Sequence, residues 1–194
     1  MKGIPYLHPF LYKLTMKILN LGHYKKKYNF LKKEIGDLTV LDVGCGDCEL
    51  ANYIKKENYS GWDTNEIFVK KAIKKGLKVE NKDVRNSNFP KVDCIVFSEV
   101  LHHLQPDYKK IIKKAIDNSK KVIIIEPVSH VASSKNIILS FMGKAFNYNG
   151  QKDSVVIPIE KEELIKLGKE FNSKIIKTEG RLLLMVFENG RKRI

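Results

Sequence analysis

Apolar positions recur along this 194-residue chain with two different periods. Over residues 4–21, Ile4, Leu7, Phe10, Leu11, Leu14, Ile18 and Leu21 fall mostly three or four apart. That spacing lays side chains along one face of a helix, here starting after Pro9. Tyr28, Leu31 and Ile35 continue it among lysines, predicting a second helix over 23–35. The pattern then changes. Thr39–Val43, Cys94–Phe97 and Val122–Ile125 are short apolar runs without polar alternation, as in strands buried on both faces. Tyr59–Asp63 and Leu77–Glu80 are weaker strand candidates. Helical segments are expected between them, at Cys48–Lys56, Asn65–Lys75 and Asp107–Asn118. Strands alternating with helices predict an α/β fold with a parallel, doubly wound sheet.

The last third departs from that rhythm. Residues 131–149, with Ile137, Ile138, Leu139, Phe141, Met142 and Phe146, suit another apolar helix. A helix follows near Lys161–Phe171, then strands at Ser173–Lys177 and Leu182–Phe187 flank a Glu179–Gly180 turn, a hairpin signature. The expected organisation is a helical cap at 1–36 and one α/β domain at 37–194, with a helical insertion near 131–149. Residues 4–21 and 131–149 together are expected to cover a pocket as a lid, the alternative being that both merely pack on the outer faces of the sheet.

A formal net charge of +14 invites a nucleic-acid or membrane-surface partner. The basic residues are nearly all lysine; the arginines are Arg85, Arg181, Arg191 and Arg193. Pairs such as Lys70-Lys71 and Lys113-Lys114 fall on helical patterns and read as solvated faces. Nucleic acid is therefore the less favoured partner, and peripheral membrane contact stays open. Cys45, Cys48 and Cys94 are too few and too odd for a disulfide framework and point to a reducing compartment. Cys45 and Cys48 have C-x-x-C spacing, but no second ligand pair supports zinc, so no metal is expected. The N-terminal apolar residues are interrupted by Pro5, His8, Pro9, Lys13 and Lys17, unlike a signal peptide. No run approaches the roughly 20 apolar residues of a membrane span, and a cytoplasmic location is expected.

The chemistry concentrates where the first strand ends, at Leu41-Asp42-Val43-Gly44-Cys45-Gly46-Asp47-Cys48. Gly44 and Gly46 allow positive φ and close backbone approach to a ligand, and the N–H groups of the turn and helix start would offer donors. A dinucleotide fingerprint needs a third glycine where this chain has Glu49, a carboxylate that would repel a pyrophosphate. Asp42 suits a ligand bearing a cationic amino group. Asp63, with Thr64 beside it, ends the second strand 17 positions after Gly46. It can accept from ribose hydroxyls, or Asp63 or Thr64 can cap the next helix. Asp83 followed by Val84 can hold an adenine amino group and pack on the base, or Asp83 can be a turn residue. A fourth element runs from the strand Cys94–Phe97 into Ser98, Glu99 and the adjacent His102 and His103.

Together these elements resemble the class I S-adenosylmethionine (SAM)-dependent methyltransferases, in particular the small-molecule branch that includes the quinone-biosynthesis enzymes. The likeness covers about residues 38–127: Leu41–Gly46 resembles the family's first motif, and Ser98–Leu104, with its Leu101-His102-His103-Leu104 run, its turn after strand four. Two features depart: Cys48 stands where a third glycine is common, and Asp117–Lys120 replaces a Lys-Pro-Gly-Gly-type turn. The resemblance implies a Rossmann-like sheet of seven strands in the order 3-2-1-4-5-7-6, the last antiparallel. It implies SAM as cofactor, contacted by Asp42, Gly44, Cys45, Gly46, Asp63, Thr64, Asp83, Val84, Ser98, Glu99 and His103.

A sulfonium methyl is already electrophilic, so catalysis is mainly alignment. A base is needed only for an acceptor whose proton is tightly held. His102, His103 and His130 are the candidates; each could instead pack on the cofactor or cap a helix. The Asn/Asp-Pro-Pro-Tyr/Phe motif of amino-methylating enzymes is absent from Phe97-Ser98-Glu99-Val100. Cys94 lies inside an expected buried strand, unlike the nucleophile of cytosine-C5 enzymes. A small-molecule or lipid-like acceptor is expected, ahead of RNA, protein or a non-catalytic SAM-binding role.

Overall fold

The computed structural model describes residues 23–128 and 159–189. The expected helices over 4–21 and 131–149, and His130, lie outside them. Seven strands form one sheet: β1 Val40–Val43, β2 Tyr59–Asp63, β3 Val79–Asn81, β4 Cys94–Ser98, β5 Lys121–Pro127, β6 Ile175–Glu179 and β7 Leu182–Glu188. Their order is β3-β2-β1-β4-β5-β7-β6, with β1 to β5 parallel and β7 antiparallel to both β5 and β6. This is the expected order. The topological switch lies between β1 and β4, where chain connections diverge to either side. There the carboxyl ends of a parallel sheet open a crevice.

Alternation along the strands sends successive residues to opposite faces. Leu41, Val43, Ile95, Phe97, Val122 and Ile124 pack with helices α3 (Tyr108–Asn118) and α4 (Lys161–Glu170) on one face. Val40, Val96, Ile123 and Ile125 pack on the other with α1 (His23–Ile35) and α2 (Glu66–Lys74). Two buried faces explain the unbroken apolar runs of the central strands. Helix α1 contributes Tyr28, Leu31 and Ile35, the stripe read from its spacing, and its cation Lys27 is buried as well. Gly36 ends the helix at φ 58°, its N–H donating to the Lys32 carbonyl at 3.0 Å, a left-handed cap that glycine adopts without strain.

One expected helix is absent. Cys48–Lys56 is not an α-helix; it contains a 3₁₀ turn at Glu49–Asn52, with a second at Lys56–Asn58. Cys48 has φ 59°, and i→i+3 bonds from Cys48 N to Cys45 O (2.8 Å) and Ala51 N to Cys48 O (3.1 Å) tighten the chain. Leu50, Ala51, Tyr53 and Ile54 still pack on the α1 face of the sheet, so the apolar spacing that suggested a helix is satisfied by these short turns instead.

Candidate active site

A cavity of about 180 Å³ opens over the carboxyl ends of β1, β2 and β4, bounded by Gly44, Gly46, Asp63, Thr64, Asp83, Val84, Glu99 and His103 among others. A smaller recess of about 30 Å³ adjoins it, lined by Asp42, Cys45, Ser98, Lys27, Tyr28 and Glu49 among others; Gly44 and Glu99 border both. Every cofactor residue expected from the sequence thus borders one of these two spaces.

Gly44 has φ 68°, and a Cβ there would sit 2.5 Å from Val100 Cγ2. The turn needs glycine both for its backbone and for the approach of the strand-four turn. Its N–H groups are arranged differently from expectation. Gly44 N and Cys45 N donate to the Trp62 carbonyl at 2.8 and 3.1 Å, and Gly46 N donates to Asp63 Oδ2 at 2.7 Å. These donors fasten the glycine turn to the end of β2. Asp63 also accepts from Asn65 N at 2.7 Å through Oδ1. The side-chain cap of α2 is Asn65, which accepts from Ile67 N at 3.1 Å. Asp63 therefore joins the turn and the helix start, and its carboxylate borders the cavity. A carboxylate has about four acceptor positions.

Asp83 caps the 3₁₀ turn Val84–Asn86 by accepting from Arg85 N at 2.9 Å. The Arg85 guanidinium also grips it, with Nη2 to Oδ2 at 2.8 Å. Burial would raise the Asp83 carboxyl, but these Arg85 bonds and the Arg85 charge hold it below the usual range. Val84 is buried at the cavity wall.

Electrostatics differ in the inner recess. Asp42 is buried and accepts from the Tyr59 hydroxyl at 3.1 Å. Burial pushes its carboxyl up to about 7, against the Tyr59 bond and the Lys27 charge. Lys27 reaches in from α1 to Glu99 at 2.8 Å, the two side chains 3% and 8% exposed. Burial would raise Glu99, but Lys27, with Arg181 and His102 nearby, keeps it low. Glu99 adopts φ 56°, its N–H donating to the Ile125 carbonyl at 2.6 Å. The Cys48 and Cys45 sulfurs are 3.6 Å apart, and that contact followed by burial raises the Cys45 thiol. Burial pushes the Cys94 thiol up to about 12, inside β4. Among the described residues no group of three or more His, Cys, Asp or Glu could hold a metal ion.

The two adjacent histidines differ. His103 borders the cavity; burial, with His102 and Arg85 close by, pushes it down to about 3, leaving a neutral ring near neutral pH. His102 sets Nδ1 against Glu126 Oε1. Burial would lower His102, but the charge and hydrogen bond of Glu126, with Glu99, raise it. Lys27, Arg181 and Glu126 were not among the expected site residues. Lys27 sits among five lysines of α1 that look alike in sequence. Glu126 follows the apolar run Val122–Ile125, where a strand read one residue longer would have placed a carboxylate inside a buried strand.

The donor set fits SAM. Among the described residues Ser98 Oγ and His103 Nδ1 are buried without hydrogen-bond partners, and Asp42, Glu99 and Lys27 supply both signs of charge for an amino-acid end. Sheet order and site together define a class I, Rossmann-like methyltransferase. Residues 16–150 match the methyltransferase-domain family, and the chain belongs to it. It is a SAM-dependent methyltransferase.

A SAM-dependent methyltransferase from Thermotoga maritima is similar at 15% identity and TM-score 0.64, over 89% of this chain and 91% of that one. Magnesium protoporphyrin IX methyltransferase from Synechocystis, solved with S-adenosylhomocysteine (SAH), gives 15% and 0.59 over 89% and 85%. The 16S rRNA methylase RmtB gives 17% and 0.54 over 90% and 65%. No curated protein sequence matches the chain. No described helix is long and apolar enough to cross a membrane.

Proposed function

We propose that the chain transfers the SAM methyl group to a small-molecule or lipid-like acceptor. The carrying observation is that the glycine turn, Asp63, Asp83, Glu99 and His103 border one cavity at the switch of the sheet. In this reading residues 37–194 are the SAM domain and 1–36 its cap. Asp63 accepts from the ribose hydroxyls while tying Gly46 and Asn65. Asp83 and Val84 take the adenine edge and face, with Thr64 at the rim. Gly44, Cys45 and Gly46 shape the turn, and Ser98 and His103 offer buried polar atoms. In the recess Asp42 and Glu99 attract an α-ammonium and Lys27 an α-carboxylate.

Bound SAM supplies an electrophilic sulfonium methyl. The protein aligns an acceptor with it and keeps water away, by which proximity can supply much of the rate. The lack of an amino-methylation motif at Phe97–Val100 supports this acceptor class over the amino groups of adenine or glutamine. Calorimetry with SAH and NAD tests the cofactor side: SAH binds and NAD does not, because Glu49 stands at the glycine position a dinucleotide needs. Tighter binding of NAD than of SAH overturns the reading.

A further inference from the structure

Cys45 and Cys48 belong to the glycine turn, and the methyl transfer makes no use of their thiols. The turn is closed by Cys48 N donating to the Cys45 carbonyl at 2.8 Å. An i→i+3 turn keeps its end Cα atoms within about 7 Å, close to the span a disulfide bridges. The two sulfurs already face each other at 3.6 Å, and the Cys48 sulfur lies 3.7 Å from the Gly46 carbonyl oxygen. Both thiols are free. Cys48 holds φ 59°, a left-handed backbone that glycine adopts without strain and cysteine does not.

The two thiols differ in access. Cys45 is 8% exposed and borders the small recess, whereas Cys48 is 2% exposed and lies behind it. Cys45 Sγ also rests on β2: a Cβ added to Gly61 would lie 2.9 Å from it and 3.0 Å from the Tyr59 hydroxyl. A disulfide needs the sulfurs to close from 3.6 Å to roughly 2.05 Å. With Cys45 Sγ wedged against Gly61, part of that closure falls on the backbone of the turn. Gly46 lies between the two cysteines, and its N–H is the donor that ties Asp63 at 2.7 Å.

We propose that Cys45 and Cys48 form an oxidation site, at which a peroxide converts the dithiol to a disulfide and so loosens the turn's hold on SAM. This rests on the reading of the recess as the seat of the amino-acid end, and adds its regulation. Cys45, the thiol with access, attacks as the thiolate. The peroxide O–O bond breaks, one oxygen stays on sulfur as a sulfenic acid, and the other leaves as water. The Cys48 sulfur then displaces that hydroxyl as a second water. Two thiols thereby lose two hydrogens and hydrogen peroxide becomes two waters. The Cys48 contact, burial, Asp42 and Asp63 all raise the Cys45 thiol, and the Tyr59 hydroxyl beside it is raised by burial and stays neutral. The Cys45 thiolate is therefore scarce at neutral pH, and the first step quickens as pH rises. An amino-acid end bound in the recess blocks the approach of peroxide.

The test titrates the full chain with SAH by calorimetry, after reduction with dithiothreitol and after treatment with hydrogen peroxide, for wild type, Cys48→Gly and Cys94→Ser. Glycine suits the left-handed position, so Cys48→Gly keeps the turn and removes the bridge. Oxidised wild type loses two hydrogens, which mass spectrometry maps to the segment carrying Cys45 and Cys48. It binds SAH about tenfold more weakly and recovers with dithiothreitol, and Cys94→Ser behaves the same way. Cys48→Gly shows neither the mass change nor a reversible loss. Ligand affinity and oxidation are reciprocal. Saturating SAH should therefore raise the midpoint of the pair in glutathione buffers by about 30 mV, the equivalent of tenfold for a two-electron couple. Absence of a Cys45–Cys48 disulfide in peroxide-treated, ligand-free wild type overturns the inference. So does a disulfide that leaves SAH affinity unchanged or tighter, or a Cys48→Gly variant that loses affinity reversibly as wild type does. Failure of the reduced wild type to bind SAH strikes the cofactor reading instead.

Discussion

Asp63 does two jobs with one carboxylate, tying Gly46 N and Asn65 N at 2.7 Å each while bordering the cavity. Asp63→Ala is expected to weaken SAH by about 1–3 kcal/mol, the range for losing a charged hydrogen-bond partner. Calorimetry on the folded variant checks it, and unchanged affinity would leave Asp63 a purely structural tie. Gly44→Ala should destabilise by about 1–3 kcal/mol through overpacking, because its Cβ meets Val100 Cγ2 at 2.5 Å and φ is 68°. Adding Val100→Ala should return the steric part in a denaturation double-mutant cycle and leave the backbone part. Asp42 has an unusual sign. Its folded value, about 7, stands above the ordinary 3.8. The folded state therefore holds the extra proton between those values, and stability falls as pH rises from about 4 to about 7, then levels. Thermal melts of the ligand-free protein should show that decline, and Asp42→Asn should flatten it.

At the scale of elements, α1 decides most. Leu31 is fully buried in the face that α1 covers, and Leu31→Ala should cost about 2–5 kcal/mol in urea unfolding. Lys27 lies one residue from the apolar stripe and reaches Glu99. Truncating one partner of a buried ion pair costs about 3–5 kcal/mol. Lys27→Ala should fall at the low end, since Arg181 also faces Glu99, at 3.7 Å. The apolar stripe was legible because a period of 3–4 survives in one dimension. Lys27 was not, because a buried lysine and its exposed neighbours Lys25 and Lys26 are the same letter. The helix expected after Cys48 fails for a related reason: Leu50, Tyr53 and Ile54 at helical spacing admit either an α-helix or a 3₁₀ turn, and the chain, left-handed at Cys48, takes the turn.

At the scale of the whole molecule, the +14 charge is the feature that most tempts another function. Many lysines already face acids, as in Lys70–Glu66, Lys113–Asp117, Lys55–Asp37 and Lys174–Glu188. Such exposed pairs mark solvated faces and add little stability. Filter binding of a structured RNA across 50 to roughly 200 mM salt should show weak affinity with a steep loss, the sign of sequence-independent phosphate contact. Salt-resistant nanomolar binding, or methyl transfer into RNA, would overturn the small-acceptor reading.

The sequence by itself determined the strand-helix alternation, the sheet order through its family likeness, and the ring of cofactor candidates from Asp42 to His103. Those are properties of period and of short contiguous motifs, which chain order preserves. Only the tertiary structure decided that the glycine turn spends its N–H groups on β2. It also decided that Lys27 and Arg181 converge on Glu99, and that Glu126 holds His102. Each of these joins residues 17 to 82 positions apart, and no local pattern records which distant charge will share a buried site.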